Sequence, residues 1–133
     1  RIDGDGEAGV LAAELGEQRG HWVAGASVAA RIGWAATLDR EHLVALVGTS
    51  LATQESVPAA FGLLALADGD GWTACLTAAA AGGDSDTIGA MAGAIAGATG
   101  CAWPEGAIRT VTTVNGLDLE PLVDGLLALR EAA

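Results

Sequence analysis

Two carboxylates and two hydroxyls follow a pair of glycines in residues 82–87, which read GGDSDT. Carboxylate and hydroxyl oxygens are the ligands that hard divalent cations take, and a glycine pair lets the backbone turn tightly beneath them. The same residues also suit an ordinary helix start, where Asp accepts hydrogen bonds from free N–H groups and the helix dipole favours anions. Asp84, Asp86 and Thr87 would fill only part of a metal shell, so a metal site here requires ligands from elsewhere.

A stretch rich in Gly, Ala and Ile lies directly behind these polar residues, and residues 88–103 carry no charge. A membrane helix needs about 20 predominantly apolar residues, so this stretch is too short and too weakly apolar to span a bilayer. Gly89, Gly93 and Gly97 recur every fourth residue. Glycine inside a helix costs about 0.8–1 kcal/mol relative to Ala, so the spacing predicts a central helix with a smooth, closely packed side.

The elements that position these residues are predicted to be helices throughout, because no segment alternates with period two for more than a few residues. Ser56 and Pro58 indicate a helix start, with Pro58 in the first turn where its missing N–H does no harm. The predicted fold is an all-α, tight helical bundle without internal repeats. Its helices are expected at about residues 10–18, 23–38, 41–47, 56–67, 72–80, 85–98, 104–114 and 119–132.

The composition bounds the function classes. The 133 residues suit one domain, and 17 acidic against 6 basic residues give a net charge of −11. This charge repels polyanions, so no nucleic-acid partner is expected, and the short uncharged stretch at 88–103 predicts no membrane partner. Cys75 and Cys101 have no neighbours at metal-ligand spacing and are interpreted as small buried residues in a reducing compartment, which predicts a cytoplasmic protein.

Other candidate chemistries fit less well. The DGDG sequences at 3–6 and 68–71 miss the EF-hand spacing, since Ala8 and Trp72 stand at ligand or turn positions, and solvated turns are favoured. His21 and His42 have no Ser or Cys partner nearby in sequence, which favours surface or capping roles. The tryptophans are interpreted as core or rim residues: Trp22, Trp34, Trp72 and Trp103.

Residues 82–100, GGDSDTIGAMAGAIAGATG, resemble the C-terminal signature of the ADP-ribosylglycohydrolase family, in which Gly-Gly-Asp-Thr-Asp-Thr precedes a helix rich in Ile, Ala and Gly. Residues 48–67, GTSLATQESVPAAFGLLALA, resemble the family segment that precedes this signature. Ser85 replaces the commoner Thr and keeps the hydroxyl. The family includes hydrolases of ADP-ribosylarginine and ADP-ribosylserine, the glycohydrolase that reactivates dinitrogenase reductase, and lens crystallins built on the same fold.

The resemblance implies an orthogonal helical bundle of the ADP-ribosylglycohydrolase type with two Mg²⁺ ions in a cleft. The family's opposite metal ligands, of Thr-Asp-Asp type, and its N-terminal Gly-Asp motif have no counterpart in this sequence. Residues 1–133 are therefore interpreted as the C-terminal portion of a single domain whose start at Arg1 looks cut. The catalytic base is expected in the missing N-terminal part. The residues carried over are Asp84, Asp86 and Thr87 for metal, and Gly82, Gly83, Glu55 and Ser56 for substrate.

The function implied is that of a Mg²⁺-dependent hydrolase that cleaves an N- or O-glycosidic bond at the anomeric carbon of ADP-ribose or a related ribosyl compound. A missing N-terminal segment or a companion chain would complete the site, so this chain by itself is expected to be inactive. The alternative is a non-catalytic helical protein, either crystallin-like or with an incomplete cleft. Metal-dependent binding of ADP-ribose distinguishes the two.

Overall fold

The computed structural model describes residues 27–131, which contain helices and no strand. This confirms the all-α prediction. No helix in this range combines the length and the apolar character needed to cross a bilayer. The helices are α1 (Val28–Ala35), α2 (Arg40–His42, which runs into a π-helical turn, Leu43–Val47), α3 (Thr53–Leu66), α4 (Gly71–Ala79), α5 (Ser85–Ala98), α6 (Glu105–Asn115) and α7 (Glu120–Glu131).

Several sequence predictions lie outside the described residues. They are the helix at 10–18, the first residues of the helix at 23–38, the acidic loop at 3–7, His21 and Trp22. Helices α4 to α7 begin within one residue of their predicted starts, and α5 has the predicted bounds. The chain divides into two compact units at residues 102 and 103, so α1–α5 and α6–α7 are described separately.

Short polar side chains begin three helices of the first unit. The Ala30 N–H donates to Ser27 Oγ at 3.2 Å, the His42 N–H to Asp39 Oδ1 at 2.9 Å and the Thr73 N–H to Asp70 Oδ1 at 2.7 Å. Hydrogen bonds from Thr73 hold the pKa of Asp70 below its ordinary value, and those from His42 do the same for Asp39. His42 also reaches Asp39 through Nδ1 at 2.8 Å on the surface, as a capping role predicts.

Helix α3 is the centre of the first unit. It packs against α1, the π-helical turn, α4 and α5. Its buried face contains Ala59, Ala60, Gly62 and Leu63. Small side chains on this face let the neighbouring elements approach closely, and a Cβ on Gly62 would lie 2.6 Å from Leu43 Cδ1. The core therefore depends on small residues as much as on large apolar ones.

Helix α5 packs against α3 and α4, in agreement with the predicted central position. Its fully buried stripe, however, is Ile88, Ala92 and Ala96, each one residue before a glycine. A Cβ on Gly89 would meet Ala78 Cβ at an ordinary 3.6 Å, and one on Gly97 would meet no described atom within 4 Å. The expectation that the glycine stripe is the closely packed side is therefore wrong at Gly97.

The start of α3 also differs from prediction. The helix begins at Thr53, and the Ala52 carbonyl accepts from the N–H groups of Glu55 and Ser56 at 2.8 and 2.9 Å. Pro58 is consequently the sixth helical residue and not a first-turn residue. Residues 48–52 form the loop before this helix, whereas residues 53–55, which precede the predicted helix at 56–67, already belong to α3. In its first turn the Glu55 carboxylate accepts the Ser50 N–H, much as the acidic residue of a capping box accepts a backbone N–H before its helix.

Cys75 and Cys101 are half-buried free thiols, less enclosed than predicted. The Cys75 Sγ–H donates to the Gly89 carbonyl at 3.4 Å, which ties α4 to α5. Burial raises the pKa of the Cys75 thiol, and the nearby Cys101 adds to the effect. Cys75 is therefore protonated at neutral pH and contributes packing.

The second unit, residues 103–131, contains α6 and α7. Helix α6 ends at Gly116, whose φ of +60° is a left-handed cap. The Leu117 N–H donates to the Thr112 carbonyl at 2.9 Å, which is the hydrogen bond typical of a Schellman motif. The turn between α6 and α7 is thus specified locally by Gly116.

Two alanine substitutions test the packing of α3 against that of α5. Gly62→Ala should lower the free energy of unfolding by about 1–2 kcal/mol, because the overpacked Cβ outweighs the gain in helix propensity. Gly97→Ala should raise it by about 0.5 kcal/mol, because only the propensity changes. Urea denaturation of both variants measures the difference, and equal effects would contradict the assignment of the buried faces.

Candidate functional site

The predicted metal-binding segment is held against the other segment that the sequence singles out. After α4 ends, Gly82 and Gly83 turn the chain with φ of +77° and +67°. The Asp84 N–H then donates to the Thr49 carbonyl at 2.7 Å. A Cβ on Gly83 would overlap this carbonyl oxygen and lie 2.5 Å from Thr49 Oγ1. Residues 48–52 and 82–84 are thus in direct backbone contact, which requires glycine at position 83.

Asp84 occupies the N-cap position of α5 but does not cap the helix with its side chain. Among the described residues its carboxylate accepts no backbone N–H, and its backbone lies at φ −83° and ψ 52°. Asp39 and Asp70 occupy the same position of α2 and α4 with extended backbones, and both cap. The capping interpretation of the Asp84 side chain is therefore wrong, although the carboxylate still faces the positive end of the helix dipole.

Thr87 holds the Asp84 carboxylate instead. Thr87 Oγ1 donates to Asp84 Oδ1 at 2.9 Å. Asp84 is half-buried, whereas Asp86 and Thr87 are exposed in the first turn of α5. Three oxygen-bearing side chains are therefore presented at one helix start, and no capping bond engages the Asp84 carboxylate.

The donor set suits Mg²⁺ in kind and is incomplete in number. Carboxylate and hydroxyl oxygens are Mg²⁺ ligands, and Mg²⁺ keeps near-octahedral coordination with several waters. Within residues 27–131, no group of three or more His, Cys, Asp or Glu side chains is arranged to hold a metal ion. The described residues therefore supply at most one side of a metal site.

Glu55 anchors the loop that carries Thr49. Its Oε2 accepts the Ser50 N–H at 2.9 Å, and a Cβ on Gly48, where φ is +89°, would overlap the same oxygen. Hydrogen bonds from Ser50 lower the pKa of Glu55, and the charge of Arg31 lowers it further. The half-buried Glu55 carboxylate is thus ionised, and it is hydrogen-bonded to the loop.

Ser56 is buried, with 5% of its surface exposed, and its hydroxyl donates to the Ala52 carbonyl at 3.2 Å. It lies in the first turn of α3, beside Glu55 in sequence. Substrate contacts for Gly82, Gly83, Glu55 and Ser56 stay predictions. The two glycines are exposed, and the two side chains of α3 already have partners in the protein.

Arg31 is a residue of this region that the sequence reasoning missed. Its Nε donates to the Gln54 carbonyl, and its Nη2 donates to the Val47 carbonyl at 3.0 Å. Pro58 has no N–H, so it leaves the Gln54 carbonyl without its i+4 helical partner. The available signal was this proline together with a single charged side chain in VAARIGWA, the sequence of α1.

The sequence reasoning also missed Arg40, which binds the chain just before Gly82 and Gly83. Its Nη2 donates to the Ala80 carbonyl at 2.9 Å, at the C-terminal end of α4. The last carbonyls of a helix have no intrahelical partner, and a cation there is favoured by the dipole. This bond fixes the chain two residues before the glycine pair.

A family model described as ADP-ribosylglycohydrolase matches residues 4–133 of this chain. The chain belongs to the ADP-ribosylglycohydrolase family. The match extends well beyond the two segments, 48–67 and 82–100, that carry the resemblance in the sequence. Among curated proteins, the chain is 40% identical over 93 residues to "Uncharacterized protein YegU" of Escherichia coli (strain K12). That alignment covers 68% of this chain and 28% of the relative. No solved structure gives a significant match.

Alanine at the two adjacent glycines separates backbone strain from the Thr49 contact. Gly82→Ala should lower the free energy of unfolding by about 1 kcal/mol, because its only effect is the strain of a left-handed φ in a residue with a Cβ. Gly83→Ala should cost about 3 kcal/mol, because it also displaces Thr49 and breaks the Asp84 hydrogen bond. Urea denaturation measures both values. Equal costs would mean that the contact contributes nothing in solution.

Glu55→Gln tests the anchoring carboxylate through its pH dependence. The neutral amide still accepts from Ser50, so the loss at pH 7 should be about 1 kcal/mol. Because the folded-state pKa of Glu55 lies below the ordinary value of 4.5, its stabilisation is complete above that value and disappears as the pH falls through the lowered pKa. Urea denaturation of both proteins from pH 7 to pH 3 should therefore show the difference shrinking in acid. A difference that is constant with pH would contradict this role.

Proposed function

We propose that this chain is the C-terminal part of a Mg²⁺-dependent ADP-ribosylglycohydrolase-like enzyme. The enzyme would hydrolyse an N- or O-glycosidic bond at the ribose anomeric carbon of an ADP-ribosylated protein or a related ribosyl compound. Family membership over residues 4–133 supports the class of reaction. The state of the Asp84 carboxylate supports the location of the site.

The carboxylate of Asp84 is the observation that carries this location. Two other aspartates at N-cap positions, Asp39 and Asp70, each accept a hydrogen bond from the backbone N–H three residues later. Asp84 is also an aspartate at an N-cap position, but its carboxylate accepts no hydrogen bond from the N–H groups of its helix. A carboxylate that gives up a stabilising bond, worth about 1 kcal/mol, is a sign that its oxygens serve another ligand.

Asp84, Asp86 and Thr87 are the residues that would hold the ions. When two Mg²⁺ ions are bound, they supply Lewis acidity and a template that orients ribose hydroxyls and water. On the protein side, the Thr87 hydroxyl orients the Asp84 carboxylate, and Thr49 fixes the backbone of Asp84. Gly83 allows this close backbone approach, and Gly82 leaves the surface beside it free of a side chain.

The remaining ligands and the general base are proposed to come from outside the described residues. A preceding segment of the protein or a companion chain would supply the opposite acidic cluster, and the proposed ligand is ADP-ribose or an ADP-ribosylated protein. Under this proposal residues 1–133 alone are inactive. The absence of a three-ligand group from residues 27–131 agrees with a half-site.

The same absence favours one alternative, a non-catalytic helical protein with an incomplete cleft. A protein of this kind would keep the fold and the contact between Thr49 and Gly83 without binding metal. The two proposals therefore differ in Mg²⁺ binding and not in stability.

Isothermal titration of the complete protein with Mg²⁺ and ADP-ribose tests the proposal. The wild type should bind ADP-ribose only with Mg²⁺ present. Asp84→Asn should weaken this binding by at least about 10-fold, because even residues behind the direct ligands change metal affinity by 10- to 100-fold. The matched control is Asp68→Asn, an exposed aspartate with φ of +50°, where Asn adopts the same backbone and binding should not change.

Two outcomes would contradict the enzyme proposal or its half-site form. Failure of the complete protein to bind ADP-ribose in a Mg²⁺-dependent way would favour the non-catalytic alternative. Hydrolysis of an ADP-ribosyl substrate by residues 1–133 alone would show that this chain already contains every essential group.

A further inference from the structure

One arginine side chain connects both ends of the loop that touches the site. The loop, residues 48–52, joins the π-helical turn ending at Val47 to the helix beginning at Thr53. Arg31, on α1, donates to the Val47 carbonyl before the loop and to the Gln54 carbonyl after it. The guanidinium therefore fixes the span that the loop has to cover.

Both carbonyls are available because the backbone cannot satisfy them. Val47 is the last residue of its helical turn, where carbonyls lack an intrahelical donor. Gln54 lies four residues before Pro58, which has no N–H to give. A planar guanidinium offers several donors in a fixed fork, whereas a lysine ammonium is a single point on a flexible stem. The arrangement thus requires Arg in particular.

The loop connects Arg31 to the candidate metal ligands, because it contacts the backbone of Asp84. Thr49 lies within it, and the Thr49 carbonyl accepts the Asp84 N–H at 2.7 Å. The charge of Arg31 also supports ionised Glu55, whose carboxylate binds the Ser50 N–H in the same loop. Arg31 contacts neither Asp84 nor Thr87 in the bonds described, so its influence on them runs through Thr49.

We infer that Arg31 is a positioning residue: by bridging the Val47 and Gln54 carbonyls it sets the place where Thr49 fixes the backbone of Asp84. The consequence for metal and ADP-ribose binding rests on the proposed function. Metal ligands must be held within about 0.5 Å of their productive geometry, so a loop shift that leaves the fold intact still weakens the site.

Arg31→Met tests this inference, because Met keeps an apolar stem and removes all donors. In the complete protein the variant should weaken Mg²⁺-dependent ADP-ribose binding by about 10- to 100-fold and shift the Asp84 and Gly83 amide resonances in ¹H–¹⁵N NMR spectra. Arg31→Lys should fall between Met and wild type, because one ammonium replaces only part of the fork. Arg109→Met, at an exposed position on α6, is the control and should change neither readout.

A merely structural Arg31 gives a different result. Stability would fall, while the folded fraction would bind ADP-ribose with wild-type affinity and the Asp84 amide would stay in place. That combination would overturn the inference. So would full rescue of binding by Lys, since the bridge requires two donors held in one plane.

Pro58→Ala supplies an independent test of the bridge. It restores an N–H that competes with Arg31 for the Gln54 carbonyl. Arg31→Met should therefore lower the urea midpoint less in the Pro58→Ala background than in the wild type, and strictly additive effects would overturn the bridge. If the complete protein does not bind ADP-ribose at all, the proposed function fails. The NMR shifts and the double-mutant cycle then still decide whether Arg31 positions Asp84.

Discussion

The hydrogen bond from the Asp84 N–H to the Thr49 carbonyl is the interaction on which the candidate site depends. It joins the start of α5 to the loop before α3, two segments separated by α3 and α4 along the chain. Gly83 makes it possible, because any side chain there would displace Thr49. The contact places the acidic helix start beside a loop that Arg31 and Glu55 bind by hydrogen bonds.

That bracing comes from groups that the backbone leaves unsatisfied. Pro58 frees one carbonyl, the end of the π-helical turn frees another, and Arg31 binds both. Arg40 binds one further carbonyl, that of Ala80, at the end of α4. Carbonyls without an intrahelical partner need another donor, and an arginine supplies several N–H groups from one side chain. Within residues 27–131, Arg31 and Arg40 thus bind backbone carbonyls around the candidate site and form no ion pair.

Asp39, Asp70 and Asp84 show how far local sequence rules reach. All three precede a helix, and a short-range rule predicts that all three cap it. Two do. The third departs because the backbone at Asp84 is fixed by Thr49 and its side chain by Thr87, a combination that no local pattern contains. The local preference for capping therefore gives way at Asp84 to the contacts that Thr49 and Thr87 make with it.

The sequence by itself determined the helical class, the bounds of α5 and the family. These follow from periodicity, from glycine's access to positive φ and from two motifs in order. Tertiary structure decided the rest: that α3 starts at Thr53 with Pro58 inside it, that α5 buries Ile88, Ala92 and Ala96 and leaves Gly97 exposed, and that Arg31 spans the loop. The physical reason is range. Propensities and caps act within one or two helical turns, whereas the partners of the Arg31 guanidinium and the Asp84 N–H lie in distant segments that the packed core brings within hydrogen-bond distance.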